Sequence, residues 1–471
     1  MSTRISKITC SPPVLIACFV AAILLLCPGA QALATTGLAT GSVDKTADAK
    51  LNTMSIAKGA NLIEAQKLFK VKDSSIIQAT TPTAIKDSLA KAGSAATASS
   101  PWIVYAPTGN YAMSAKQTVP SNVIFVAENN SVFTPTTTNN FTQFFLVDGS
   151  LYGGTYECKN MAYYGLCFGK IAFSGSTNGT IRNATVKNPK KYGVVANNAS
   201  TKNAKVLYCK VSNSGASGVS AVMGSHMSLV SNCTVTSSKE SGINLGHANI
   251  DVISYNTLQN NKGHGISTDI DGSGGHKYCY IQTIANNTIT GNGVNGVFID
   301  KNCRVTTSFA NNNVSQNKQN GLSVEANGLV KGIAFNTFSG NKSSNLRTIG
   351  KGTKAYIGNK NIFKKAGTNN ITVENRSTVQ LSGSNNAITL AKGNGISLKN
   401  RGSFVVKSGK KNQIKSNKGF GIRIEKKCTC KIANFVFGKN KTGAVKAYPG
   451  CKFTYKNCGL STKAKAKNRI T

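Results

Sequence analysis

The sequence predicts an all-β fold, a parallel β-solenoid, and three observations carry that reading. A glycine followed by an apolar residue recurs at Gly193, Gly218, Gly242, Gly265, Gly296 and Gly321, in steps of 25, 24, 23, 31 and 25 residues. A second apolar column, Val186, Val211, Val235, Leu258, Ile289 and Val314, keeps the same steps. After each glycine, apolar and polar residues alternate, the period of a strand with one buried face. Two columns sharing one spacing mark a stacked repeat, whose units bury a continuous core only against their neighbours.

The elements follow in chain order. Arg4 and Lys7 precede the apolar run Val14 to Leu26, and "AQALA" supplies Ala32 and Ala34 as small residues. This is the pattern of an export signal, with cleavage expected after Ala34. The run is short for a membrane span, and no later stretch is apolar enough to be one. The protein is therefore expected outside the cell or on its surface, as a monomer, with no transmembrane segment once the signal is removed. Residues 35–100 read as a leader and a capping helix. "TPTAIKDSLAKAG" predicts the helix, with Thr83 as N-cap and Gly93 as C-cap. Such a helix closes the open end of a solenoid, where strand edges are otherwise exposed.

Coils are expected over 101–460. Val194, Val219, Ile243, Ile266, Val297 and Leu322 point inward, and "NATVKN" and "NTITGN" mark the strands before the glycines. Asparagine suits a left-handed turn and could also hydrogen-bond from coil to coil. "NGIS", "FGIR" and "TGAV" extend the repeat to the final third. Residues 461–471 read as a basic tail.

Ten cysteines remain after signal removal, an even number, and export permits disulfides. Cys209 and Cys233 are one coil apart, as are Cys279 and Cys303. Neighbouring coils lie ~4.8 Å apart, within disulfide reach. Cys158 with Cys167, and Cys428/Cys430 with Cys451/Cys458, would complete five bridges. The alternative is that they are buried thiols acting as small apolar residues.

These repeats, with the opening "WIVYAPTGNYAMSAKQTVPSNVIFVAENNS", resemble the right-handed parallel β-helix proteins of the pectate-lyase-like superfamily, from about Pro101 to the C-terminus. The resemblance implies a right-handed solenoid whose members include enzymes acting on acidic polysaccharides. "STDIDG" is similar to the "N-T-D-G-x-D" coil of polygalacturonases, and "HGIS" to their His motif, but in reversed order. No specific enzyme family is matched.

The step of 31 leaves about seven surplus residues in Asp269 to Tyr278, a loop bulging from a regular coil. Loops on rigid scaffolds collect functional groups. The repeat also serves as a ruler. Four residues after successive glycines stand Asp269, Asp300 and Glu325, three carboxylates on adjacent coils in a chain with 56 Lys+Arg and only 16 Asp+Glu. Asp271, His276, Lys277, Tyr278, His264, His247, Lys301 and Arg304 surround them. Like charges this close are unfavourable unless they bind a cation, share a proton or point apart.

Two mechanisms fit. Two carboxylates could serve as acid and base of a glycoside hydrolase. Alternatively Asp269, Asp300 and Glu325 hold Ca²⁺ against a uronate, with Lys301, His276 or Tyr278 taking the proton, as in a lyase or an epimerase. Asp271 joins this catalytic set, and His247, His264, Lys277, Tyr278 and Arg304 are the expected substrate contacts. The net charge of +40 favours polyanionic partners. With export it points to acidic polysaccharide and away from nucleic acid. Residues 351–471 hold 27 Lys+Arg against Glu374 and Glu425. The other reading is therefore a non-catalytic surface solenoid that binds anionic glycans through its Lys/Arg-rich coils.

Overall fold

Each coil lays down three short strands, and each strand pairs in parallel with its counterpart one coil on. In the coil that carries Asp269 these are Ile266–Asp269, Tyr280–Ala285 and Thr288–Thr290. The computed structural model describes residues 59–137, 142–169, 175–269 and 278–460. Ile266–Asp269 belongs to a 14-stranded sheet, and the other two strands belong to a 28-stranded sheet. The larger sheet is two stacks joined through the long strands Val123–Pro135 and Ser150–Glu157. The expected signal peptide and basic tail lie outside the described residues. No helix among the described residues is long and apolar enough to cross a membrane.

Both sequence columns are registers of the solenoid. Val186, Val211, Val235, Leu258, Ile289 and Val314 face one another in order. So do Val194, Val219, Ile243, Ile266, Val297 and Leu322. All twelve are buried. Each such side chain contributes about 1.5–3 kcal/mol on leaving water. The glycine column is a packing requirement. A Cβ on Gly265 would lie 2.3 Å from Ile289 Cγ2 and 2.6 Å from the Gly296 carbonyl oxygen. Asparagine does both things expected of it. Asn260, Asn286 and Asn311 turn corners at φ 57–58°. Asn256, Asn287, Asn312, Asn336, Asn361, Asn386 and Asn412 form a buried ladder, each side-chain amide donating to the next side-chain oxygen at 2.9–3.0 Å.

Among the described residues, two α-helices stand at the N-terminal end, α1 (Ala60–Phe69) and α2 (Pro82–Ala95). α2 closes the core with Ile85, Leu89 and Ala92. Its caps differ from those expected. Thr81 is the N-cap, its side chain accepting from the Ala84 N–H, because Pro82 takes the first helical position, where its missing N–H costs nothing. Gly93 lies inside the helix rather than beyond it. There a Cβ would come within 2.6 Å of Pro120 Cγ, so the glycine serves close packing. α1 lies against Ile103, Tyr105, Ile124 and Val126 on the outside of the first coils. The buried Glu128 accepts from the Asn61 and Leu62 N–H groups at the start of α1, where a helix favours a negative charge.

All ten described cysteines are thiols. The register sets Cys209 beside Cys233 and Cys279 beside Cys303, as the spacing suggested. Cys428 stands likewise beside Cys451. The expected Cys158–Cys167 pairing is not supported. Cys158 points into the core, whereas Cys167 lies on the other side of its strand with Phe145, Tyr164 and Val195.

Candidate functional site

The 14-stranded sheet positions the carboxylate column. Gly246 pairs with Asp269, and Ile266 and Ser267 pair with Val297 and Phe298. Ile299 pairs with Val324. Continuing that register by one residue sets Asp300 between Asp269 and Glu325. The column then runs beyond the reach of the sequence ruler, through Ile349, Glu374 and Lys399. Leu398 pairs with Ile424, so Glu425 follows. Both acids of the basic final third thus stand in the same line as the three expected ones.

Glu325 is drawn away from the other two expected acids. Glu325 Oε1 accepts from Ser323 Oγ at 3.0 Å and lies 3.2 Å from Arg347 Nη1, on the coil away from Asp300. Arg347 Nε meets Glu374 Oε1 at 2.6 Å, so one guanidinium serves both glutamates. Arg423 Nη2 lies 3.6 Å from Glu425 Oε1. Asp300 is placed by its backbone, whose N–H donates to Thr268 Oγ1 at 2.9 Å. Asp269 is exposed at the end of its strand, and its carbonyl accepts the His247 N–H at 3.2 Å. Among the described residues, no three His, Cys, Asp or Glu are grouped to hold a metal ion.

The surrounding residues divide. His247 is buried at the corner where the 14-stranded sheet gives way to the next strand, in a left-handed conformation at φ 53°. Lys301 is exposed beside Asp300. Tyr278 is exposed, with the Arg304 guanidinium 5.9 Å from its ring centre. These residues share one corner with Asp269 and Asp300. His264 does not. It lies two residues before the strand Ile266–Asp269, five residues and about 15 Å from Asp269 at the rise of an extended chain. Its ring stacks on Phe298 at 4.8 Å, and Nδ1 accepts the Asn295 N–H at 3.3 Å. Burial lowers its pKa to about 4, so it is neutral at physiological pH. Asp271, His276 and Lys277 lie outside the described residues.

A second polar cluster lies on the strands beyond that corner. His226 Nε2 meets Asp251 Oδ2 at 2.9 Å, and Gln282 Nε2 donates to Asp251 Oδ1 at 2.9 Å. With Lys202, Asn249 and Tyr280 they line a shallow cleft of about 360 Å³. His226 is outside the set of site residues expected from the sequence. Its partner was nonetheless readable, because His226 pairs with Asn249, and Asp251 is two residues on, on the same outward face.

Fold and repeat define the class: this is a right-handed parallel β-helix protein. Residues 169–338 match the family model described as "Right handed beta helix region". No curated protein matches the chain. Among solved structures it is similar to a tailspike protein of E. coli bacteriophage HK620 in complex with a pentasaccharide, at 13% identity and a TM-score of 0.50, covering 80% of this chain and 77% of that one. The A-module of the Azotobacter vinelandii mannuronan C-5 epimerase AlgE4 aligns at 12% identity and a TM-score of 0.38, over 84% and 97% of the two chains. The periplasmic alginate epimerase AlgG aligns at 12% identity and 0.43, over 80% and 100%. At these identities the likeness concerns the fold.

Proposed function

We propose that this is an exported β-helix protein that acts on acidic, uronate-containing polysaccharide, as a lyase, epimerase or glycoside hydrolase centred on Asp269 and Asp300. The observation that carries this reading is the adjacent pair of carboxylates at one corner, with Lys301, Tyr278 and Arg304 beside them. One coil of ~4.8 Å separates their backbones, close to the ~5–5.5 Å between the two carboxyl groups of retaining glycosidases. Arg304 and Lys301 suit a substrate carboxylate, and Tyr278 offers a hydroxyl for proton transfer. The tailspike named above, solved in complex with a pentasaccharide, is consistent with a glycan as partner. Glu325 leaves the proposed centre, because Arg347 holds it. The described residues here offer Ca²⁺ two carboxylates, so carbonyls, waters and a substrate uronate would have to complete its 6–8 oxygen ligands. No step is therefore assigned to it, and dependence on Ca²⁺ is an arm of the test.

The second reading, a non-catalytic solenoid binding anionic glycans, is favoured by the surplus of Lys and Arg in the final third. One assay separates the two. The mature protein is incubated with polygalacturonate, alginate and glycosaminoglycans, with and without Ca²⁺. Unsaturated ends, reducing sugars and the uronate C5 proton are followed. Activity should appear on at least one polymer and fall at least 100-fold in Asp269→Ala and Asp300→Ala. Activity that survives both substitutions moves the centre elsewhere, with the His226–Asp251 cleft next in line. No product on any polymer leaves the binding reading.

A further inference from the structure

The corner that holds His247 and Tyr278 recurs in every later coil, two residues before the next strand's register position. Arg304, Leu329, Lys354, Thr378, Ser403, Thr429 and Lys452 are in register. The corner residues are therefore Asn302, Asn327, Gly352, Arg376, Arg401, Lys427 and Gly450. All seven are left-handed, with φ between 59° and 81°. Asparagine and glycine are what such a position favours, since an ordinary Cβ is strained there. Three consecutive coils instead carry long cationic side chains, and the turn they make does not require them. Backbone strain of this kind, where easier residues are used on either side, directs attention to function.

The three cations and Lys426 line a cleft of about 550 Å³ with Asn375 and Asn400. Asn400 Nδ2 donates to Asn375 Oδ1 at 3.0 Å and ties two of the turns together. No carboxylate lines the cleft. The nearest acids in sequence, Glu374 and Glu425, are engaged by Arg347 and Arg423. Among the described residues, Arg376, Arg401, Lys426 and Lys427 have no salt bridge. Their charge is uncompensated, concentrated on one corner and repeated once per coil along the solenoid axis.

We propose that this corner is a binding site for a linear acidic polysaccharide lying along the solenoid axis, its anionic groups taken in turn by Arg376, Arg401 and Lys427. The inference rests on the glycan reading above and adds the place and the orientation. Guanidinium forks suit carboxylate and sulfate groups bidentately. The rise per coil, ~4.8 Å, is about the length of one sugar residue, so successive coils meet successive units of a chain.

The test uses the mature protein and a triple variant, Arg376→Asn, Arg401→Asn and Lys427→Asn. Asparagine keeps the left-handed turn, so the fold is retained. A control triple, Lys365→Gln, Lys415→Gln and Lys439→Gln, removes the same charge from the other end of the strand stacks. Affinity for polygalacturonate and for dextran sulfate is measured at several salt concentrations, and the stronger of the two identifies carboxylate or sulfate as the preferred group. The corner triple should weaken binding at least tenfold and flatten its salt dependence, while the control changes it less than threefold. Equal losses in both triples would mean diffuse attraction and sink the site alone. A wild-type protein that binds neither polymer would sink the glycan reading as well. Tighter binding of duplex DNA than of either glycan would reassign the cleft and overturn the proposal.

Discussion

His264 shows how a residue of apparent catalytic type can be structural. In the next two coils its place is taken by Asn295 and Asn320, joined by a hydrogen bond from Asn320 Nδ2 to Asn295 Oδ1 at 3.0 Å. His264 continues that line with a neutral ring nitrogen that accepts the Asn295 N–H. Protonation would remove the acceptor and charge a largely buried ring. With the folded pKa lowered to about 4, the unfolded chain takes up a proton first as pH falls below about 6.5. Stability from this residue is then fully present above pH 6.5, declines between about 6.5 and 4, and declines no further below that. The loss over the window is about 3 kcal/mol. Urea unfolding at pH 7 and pH 4 should show that much extra destabilisation in wild type relative to His264→Asn. Parallel behaviour of the two proteins would mean that the ring is hydrated. Asp269 and Asp300 were legible in the sequence because the repeat fixes backbone register. The diversion of Glu325 was not, because Arg347 could in principle have reached either neighbour, and only side-chain geometry decides.

At the scale of the element, the repeat made the strands readable. Glycine and valine columns report backbone approach and burial, and both recur with the coil. Helix ends were less legible, since Thr81 and Thr83 are equally good caps by type and Pro82 decides between them. The asparagine ladder was visible as a composition, and its energetic weight only in the structure. Asn336 Oδ1 accepts from the Asn312 N–H and Nδ2, and its amide donates to the Phe309 carbonyl at 2.8 Å and to Asn361 Oδ1 at 3.0 Å. Alanine there leaves several buried groups without partners, and each orphan costs about 1–3 kcal/mol. Asn336→Ala should therefore lose about 3 kcal/mol or more by equilibrium denaturation. Asn313→Ala, at an exposed strand position, should lose less than about 0.5 kcal/mol. Equal small losses would mean that water replaces the missing rung.

For the whole molecule, the dominant fact is the charge of +40. Ion pairs neutralise little of it among the described residues. Arg347 and Arg423 are matched within the carboxylate column, and Arg182 lies 3.6 Å from Glu64. The remaining cations repel one another along a rigid stack whose coils cannot move apart to relieve it. Charge self-repulsion destabilises a folded state, and salt weakens it as the screening length falls from ~30 Å at 0.01 M to ~8 Å at 0.15 M. The melting temperature should therefore rise with NaCl over that range. A polyanion that binds the folded surface should raise it further at low salt, by mass action, and lose that effect as salt competes. A melting temperature that falls with salt would show that the few ion pairs outweigh the repulsion. In that case the surplus of Lys and Arg would be dispersed enough to be harmless.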